Sequence, residues 1–541
     1  MVGPRREREW RRDERVRRGR RRWRIPFIPS SKRRAFRGRC ARAAVVALAL
    51  GAFLPAAARG AVTEDNDTES TSQNPPHPVL RTFLGELAFL TLQGAWYWGH
   101  QEHSESEIDA DSWSTWRGKL FSLRYFRFDN DHFNTNAVGH PISGLISYQI
   151  ARGSGLGVGG SMLATVASST AWKYFGESNQ KLSINDLVIT PASGWVLGEA
   201  SYRLGSFFAD GAPTLANCIG ALVFSPVATL TEAPVCRGRR RDPPFDRFGL
   251  SRRTWHRLAV EVGLARAVFD GEDARTETTL GLGARIVAHA YHQRPGRGAT
   301  TAKPGQWSTL GARWMLDGSS LTGASLHADT LVIGRYFREY GDVAGPSGEP
   351  DGRGLLLGLG SSFDYDGRQL PTILDRTLAL GLLGPRVELE ARRGRFALRA
   401  TLAASYGFAM VTSLAWAQAA ADFAGVVVKS ELASQGYYFG QGLLTFAALE
   451  AELGDFRLRL DGRGQDLWSF NSADDHQSQI QNNFALHDTQ AFLSATGALQ
   501  PSGGPFRLTI ELDDIVRDSR LPGTVVRSSE HRIIGAAALV F

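Results

Sequence analysis

From Trp255 to Phe541 the chain alternates between apolar and polar residues with a period of two, the spacing of strands that show different solvents to their two faces. In "TLGLGARIVAHA" (279 to 290), Leu280, Leu282, Ala284, Ile286, Ala288 and Ala290 lie on one face, opposite Thr279, Gly281, Gly283, Arg285 and His289. "RLTIEL" sets Leu508, Ile510 and Leu512 against Arg507, Thr509 and Glu511. Two hairpins show what the polar face does. Glu450 and Glu452 precede a Gly454-Asp455 turn that Arg457 and Arg459 follow, and Glu388 and Glu390 precede a turn that Arg399 follows. Opposite charges placed this way pair across neighbouring strands. A soluble sandwich puts its charged face outside; here the uniformly apolar face would need lipid.

About twelve such segments follow one another, a density that suits an outer-membrane barrel with strands of about ten residues. Trp307, Trp314, Trp416, Tyr437, Tyr438 and Trp468 stand near segment ends, where aromatic girdles would lie. In the closing "HRIIGAAALVF", Ile533, Ala537, Leu539 and Phe541 alternate. That segment resembles the closing strand of bacterial outer-membrane proteins, in which a C-terminal aromatic belongs to the assembly signal. The expected partners are therefore outer-membrane lipid and the barrel assembly machinery.

The net charge of +8 does not argue for nucleic acid. Residues 1–43 hold 18 Lys+Arg against 4 Asp+Glu, so the remaining chain has 44 bases against 50 acids and is mildly acidic. The basic run leads into "AAVVALALGAFLPAAA" (43 to 58), and together they read as a leader and signal peptide over 1–61. A polar, proline-broken linker over 62–78 follows. Export leaves Cys218 and Cys236 in an oxidising compartment, where one disulfide is expected between them.

Residues 79–235 read as a helical domain, and a basic linker over 236–254 precedes the barrel at 255–541. Candidate helices cover 79–99, 137–152, 157–176, 184–208 and 215–225. Gly194 and Gly198, four apart, allow close helix approach. Glu86, Lys173, Glu199 and Arg203 interrupt the apolar runs, so the pattern fits a compact bundle better than membrane-crossing helices. The fold class is an N-terminal apolar helical bundle followed by an antiparallel outer-membrane β-barrel of about twelve strands.

Within the helical domain, "FDNDHFNTNAVGHPISGLISYQIAR", "WKYFGE" and "KLSINDLVITPASGWVLGE" resemble the uncharacterised bacterial family called domain of unknown function 3943, over about residues 90–225. The shared features fall on Asn136, His140, Pro141, Gly144, Tyr148, Glu177, Ser183, Asp186, Gly194 and Glu199. The resemblance implies no activity. The order Asp, His, Glu, Ser-x-x-Asp, Gly is similar, at the level of pattern, to VanZ-like membrane proteins.

Asn136, His140, Gly144 and Tyr148 recur at steps of four and share one helix face. His140, Glu177, Asp186 and Glu199 are the candidate catalytic groups, since an imidazole among carboxylates can perform acid–base work or hold a metal. Asn136, Tyr148 and Ser183 would form a polar network around them. Each also has a plainer role: Ser183 and Asp186 as a capping box, His140 before Pro141 at a helix start, Glu199 paired with Arg203. No HExxH zinc motif, GxSxG elbow or phosphate loop occurs; no metal ligands are assigned, and the cofactor is unknown from sequence.

Three functions fit: a barrel with a periplasmic or lumen-plugging helical domain that binds or passes a small or lipidic ligand; an envelope lipid- or glycolipid-modifying enzyme; or a structural assembly protein. His140 is expected to point into the bundle beside one of the three carboxylates, because an unpartnered buried imidazole is costly. For the cysteines, non-reducing mass mapping should recover Cys218 and Cys236 on one linked peptide pair; two free thiols in exported protein would exclude the bridge.

Overall fold

The computed structural model describes residues 76–100, 112–122, 125–177, 180–231, 245–269, 274–287, 295–344, 350–371, 373–470, 483–501 and 504–541. The expected leader and Cys236 lie outside them, and Cys218 is on helix α6. The helices of the N-terminal part are α1 (Pro78–His100), α2 (Ser112–Phe121), α3 (His140–Gly153), α4 (Val158–Ala171), α5 (Ile184–Ala209), α6 (Leu215–Phe224) and α7 (Pro226–Thr231). Single π turns, Thr135–Gly139 and Trp172–Gly176, precede α3 and follow α4. Two short parallel strands, β1 (Phe126–Arg127) and β2 (Leu182–Ser183), pair beside them. None of the described helices is long and apolar enough to cross a membrane.

The barrel strands are β3 (Trp255–Phe269), β4 (Arg275–Val287), β5 (Gly296–Ala302), β6 (Trp307–Asp317), β7 (Ser320–Ala344), β8 (Pro350–Gln369), β9 (Leu374–Arg393), β10 (Phe396–Thr412), β11 (Tyr437–Leu453), β12 (Phe456–Ser469), β13 (His487–Leu499), β14 (Phe506–Leu521) and β15 (Thr524–Val540). All except β5 form a closed antiparallel ring of twelve, sealed where β15 pairs with β3, as at Val540 and Ala259. Strand β5 pairs with the second half of β7 and stays out of the ring. Gly394 and Gly454, at φ 60° and 58°, make the tight β9–β10 and β11–β12 turns at the rim that carries Phe541. The opposite rim carries the long β10–β11 connection, residues 413–436, which holds two short helices, α8 (Leu414–Ala419) and α9 (Ser430–Gln435).

Most of the charge on the ring strands turns inward, with Arg266, Arg335, Asp514 and His531 among the outward exceptions. The expected ladder pairs form: Arg399 stands opposite Glu390 at 3.1 Å, and Arg457 meets Glu452 at 2.9 Å. Other pairs join strands that are not neighbours and so cross the lumen. Arg257 of β3 reaches Glu450 and Glu452 of β11 at 2.5 Å each, and Arg313 of β6 takes Glu511 of β14 at 2.7 Å. Arg285 of β4 meets Glu388 of β9, and Arg463 of β12 meets Asp364 of β8 at 3.3 Å. Toward the Phe541 rim, Trp255, Trp307, Tyr336 and Tyr340 pack together inside. At the opposite rim Trp416 and Ala419 of the 413–436 connection pack on Val411, Leu444 and Leu467, all inward by strand alternation.

The outward face carries exposed Val262, Leu264, Leu402, Leu443, Leu458, Leu508 and Ile510. Strand alternation also corrects the expected girdles. Trp314 and Trp468 face outward, but Trp307 and Tyr438 face the lumen, Trp416 plugs the rim, and Tyr437 is covered by the helical domain. Nearness to a strand end does not decide a side; the residue's parity does.

The helical domain packs on this same outward face. Phe128, Phe133, Ile189, Val196 and Leu197 share a core with Phe363, Leu378, Leu380, Phe408, Met410 and Phe439. Phe408 and Met410 have the parity of exposed Leu402, and Phe439 that of exposed Leu443. At the other end of α5, Leu204 and Phe207 join Leu258, Ala284 and Ile286 near Phe541. Thus α5 runs along the outer wall from near one rim to near the other. The segment inside the lumen mouth is the β10–β11 connection, which is not part of the helical domain.

Phe541 exchanges backbone hydrogen bonds with Leu258, at 3.0 and 3.3 Å, and its ring lies 5.0 Å from that of Phe248. Unheated protein is expected to run faster than boiled protein on a denaturing gel, and deletion of Phe541 to reduce the fast form several-fold. Equal mobility, with extraction by salt alone, would contradict the closed barrel.

Candidate functional site in the helical domain

The four-step stripe of α3 faces α5 along a single seam. Asn136 accepts at its side-chain oxygen from Asn185 Nδ2 at 3.2 Å, and His140 Nε2 lies 2.9 Å from Asp186 Oδ1. Glycine lets the backbones meet next. A Cβ at Gly144 would run into the carbonyl of Thr190, and one at Gly194 would lie 2.7 Å from the Gly144 oxygen. Tyr148 then donates to Glu199 Oε2 at 2.8 Å and packs over Gly198. The seam therefore reads polar, polar, backbone, polar from one end to the other.

Asp186 is the node of its upper half. Its backbone N–H is capped by Ser183 Oγ at 3.2 Å, as an ordinary helix start requires. Its carboxylate turns away from the cap to His140 on one side and Lys173 on the other. Lys173, in the π turn that ends α4, also binds Glu177 Oε2 at 2.5 Å, and Glu177 Oε1 accepts from Trp172 Nε1 at 2.8 Å. Lys119 of α2 donates to the carbonyls of Lys173 and Glu177, both at 2.7 Å, satisfying groups that the end of a helix leaves open. Glu177 thus reaches His140 only through Lys173 and Asp186.

Asp129 closes the cluster. It accepts from Asn136 at 2.8 Å, Ser183 at 2.7 Å and Asn185 at 2.9 Å. Asn136 also donates to the Tyr437 hydroxyl at 3.2 Å, and that hydroxyl donates to the Asp131 carbonyl at 2.7 Å, so the network reaches the barrel wall. Glu199 belongs to a separate cluster with Tyr148, Arg152 at 3.0 Å and Arg203 at 2.7 Å. Arg203 continues to the Pro304 carbonyl at 3.2 Å, a second link to the barrel.

Charge state follows from these partners. Burial would raise the Asp186 carboxyl, but His140 and Lys173 outweigh it and hold the group below the ordinary range. Burial would lower the His140 imidazole, yet Asp186 keeps it above its ordinary value, and Asp186 with Glu177 does the same for Lys173. Glu86 of α1 has no cation beside it. Burial pushes its carboxyl up to about 8, against the opposing effect of hydrogen bonds from Ser147 at 2.7 Å and Ser168 at 2.8 Å.

Asp129, Lys119 and Asn185 complete the site but were not singled out from sequence, and Glu86 and Lys173 were noted only as charges that interrupt apolar runs. Asp129 and Asn185 lie in the motif-bearing segments "FDNDHF" and "SIND"; Glu86 stands in an apolar helical run, whereas Lys119 carries no local signal and is an ordinary charge until tertiary contacts bury it. Among the described residues no group of three or more His, Cys, Asp or Glu side chains is arranged to hold a metal ion. A water-sized cavity beside His140 is lined by Gln93, Ser143, Ser147, Ser168 and Ser169. Their hydroxyls are already engaged: Ser143 with Gln93, Ser147 and Ser168 with Glu86, and Ser169 with the Asp186 carbonyl.

Fold and seam together define an outer-membrane-type β-barrel preceded by a helical domain with an ionic interior. Residues 125–227, which contain the seam, match the family model described as "Domain of unknown function (DUF3943)". No curated protein matches the chain significantly. Among solved structures the barrel is similar to the beta domain of the Bordetella autotransporter BrkA, at 12% identity, over 52% of this chain and 98% of that one, with a TM-score of 0.18. It is similar to the translocator domain of the autotransporter NalP from Neisseria meningitidis at 11% identity, over 52% and 88%, with a TM-score of 0.19. For the outer-membrane protein OmpT of Vibrio cholerae the values are 8%, 53%, 99% and 0.17. The barrel itself is defined by its own strand pairing.

Two outcomes are expected of the buried charges. Asp186→Ala leaves His140 without its carboxylate and Lys173 with Glu177 alone, so the helical domain should lose about 3–5 kcal/mol, the usual cost of breaking a buried ion pair. Adding Lys173→Met should recover part of that loss, as read from thermal melting of the helical circular dichroism. With burial raising the Glu86 carboxyl to about 8, its contribution should be complete below its ordinary value of 4.5 and be lost as pH rises toward about 8. Glu86→Gln should flatten this part of the stability profile; an unchanged slope would place the titrating group elsewhere.

Proposed function

We propose that this protein is a non-conducting barrel of the bacterial outer membrane that carries its helical domain on its wall, and that it binds a lipidic ligand without passing a solute. It reaches the membrane through its leader and the barrel assembly machinery, which would recognise the terminal strand ending in Phe541. The observation that carries this reading is the occupied lumen. Ion pairs that cross it, Arg257 with Glu450 and Arg313 with Glu511 among them, close the path between the aromatic layer at one rim and the 413–436 segment at the other. A cavity bounded in part by His327, Asp364, Arg386 and Arg463 measures only about 50 Å³, room for a few waters.

A lipidic ligand is supported by a depression of about 520 Å³ in the outer wall. Its outward-facing lining includes Ala404, Ala447, Gly462 and Gly464, with Leu402 and Leu493 beside them. Small side chains at the centre of an otherwise leucine-rich face leave space for an acyl chain. The lipid-modifying alternative has less support, because the serines beside His140 are engaged with groups other than its imidazole. A satisfied network of this kind supports a structural role for the seam.

In planar bilayers the purified protein is expected to give no stepwise conductance, and in native mass spectra to retain phospholipid. Ala447→Trp, which fills the depression, should lower lipid retention several-fold without loss of the heat-modifiable form. Stable unitary conductance would contradict the non-conducting barrel, and equal lipid retention by wild type and variant would contradict the wall site.

A further inference from the structure

The helical domain has its polarity reversed. Over residues 78–100 and 140–231, Lys181 is the only Asp, Glu, Lys or Arg among the described residues that is exposed, and outside these ranges Arg117 of α2 is exposed as well; the others in these ranges are buried or half-buried. Glu86, Lys173, Glu177, Asp186 and Glu199 are each at most 5% exposed. The exposed positions are instead apolar: Leu84 and Leu92 on α1, Ile142 on α3, Leu163 on α4, and Leu222 and Val223 on α6. A domain surrounded by water normally shows a surface rich in charge, and contiguous apolar surface marks contact with something other than water.

The setting identifies that contact. The domain sits on the outward face of the barrel, where neighbouring exposed residues such as Leu402 and Leu443 continue the lipid-facing band. From Ile189 to Phe207, α5 accompanies the wall for about 27 Å at the usual helical rise, close to the height of an outer-membrane apolar band. Its ionic residues do not face outward, because the wall lies on one side of it and α3, α4 and α6 on others. Lys181, the exposed charge of these ranges, precedes α5 near the rim, where a cation can reach the headgroups.

We infer that the helical domain is immersed in the bilayer beside the barrel, with the exposed residues of α1, α4 and α6 facing lipid acyl chains. This rests on the outer-membrane reading given above. Its polar seam then has a physical reason: groups that cannot face lipid are turned inward and paired. It also explains why none of the helices has the hydropathy of a membrane span. The charges of α5 are shielded by its neighbours, and the lipid-facing work is divided among several shorter helices.

The test uses the full chain, with a photoreactive benzophenone side chain placed singly at Leu163, Leu222 or Lys181, irradiated in outer membranes and analysed by mass spectrometry. Covalent lipid adducts are expected at Leu163 and Leu222, at least several-fold above Lys181. Lipid adducts absent from Leu163 and Leu222 would overturn the inference. Heat-modifiability measured on the same samples separates the two readings: a barrel assembled without lipid adducts refutes immersion alone, whereas an unassembled barrel refutes the outer-membrane reading.

Discussion

Arg257 bridging to Glu450 and Glu452 across the lumen, at 2.5 Å to each, is the kind of contact on which the barrel depends. Strands β3 and β11 are far apart around the ring, so the pair holds the two sides of the wall at one separation. Glu450 is shared further with Arg399 at 3.0 Å, so this carboxylate is balanced by more than one partner. Turning charge inward serves two purposes. It leaves the middle of the outer face mainly apolar for lipid, and it fills the interior with paired side chains. A buried pair earns little net stability against an apolar alternative, but removing one member is costly. The interior network is therefore resistant to piecemeal change.

The helical domain applies the same constraint on a smaller scale. Asp186 stands between His140 and Lys173, and Glu199 between Arg152 and Arg203, so each carboxylate has a cation on either side. Gly144 and Gly194 bring α3 and α5 close enough for these pairs to form, and the two π turns aim Asn136 and Lys173 into the seam. The network ends at Tyr437 and Pro304, both in the barrel part of the chain. Its polar contacts thus tie the helices to the wall as well as to one another.

The alternating strands were legible because a period of two with paired charges survives in each hairpin separately, as Glu450, Glu452, Arg457 and Arg459 show. The stripe of Asn136, His140, Gly144 and Tyr148 was legible for the same reason, a local period, and the partner helix with Asp186 and Glu199 was identified with it. The side of the wall on which the domain docks was not legible. Phe408 and Phe439 read as ordinary outward-facing residues in their strands, and nothing local distinguishes a face covered by helices from one covered by lipid. Lys119 and Asp129 were missed because their roles exist only once distant elements are brought together.

Electron cryomicroscopy of the full-length protein in lipid nanodiscs tests the central claim most directly, because it locates the helical domain relative to the bilayer. The expected map places α1, α4, α5 and α6 within the thickness of the disc, on the side of the outer wall formed by β4 and β6 to β11, with lipid density beside Leu163 and Leu222. A map with the helical density projecting beyond the disc, and lipid covering Phe408 and Phe439, would contradict it.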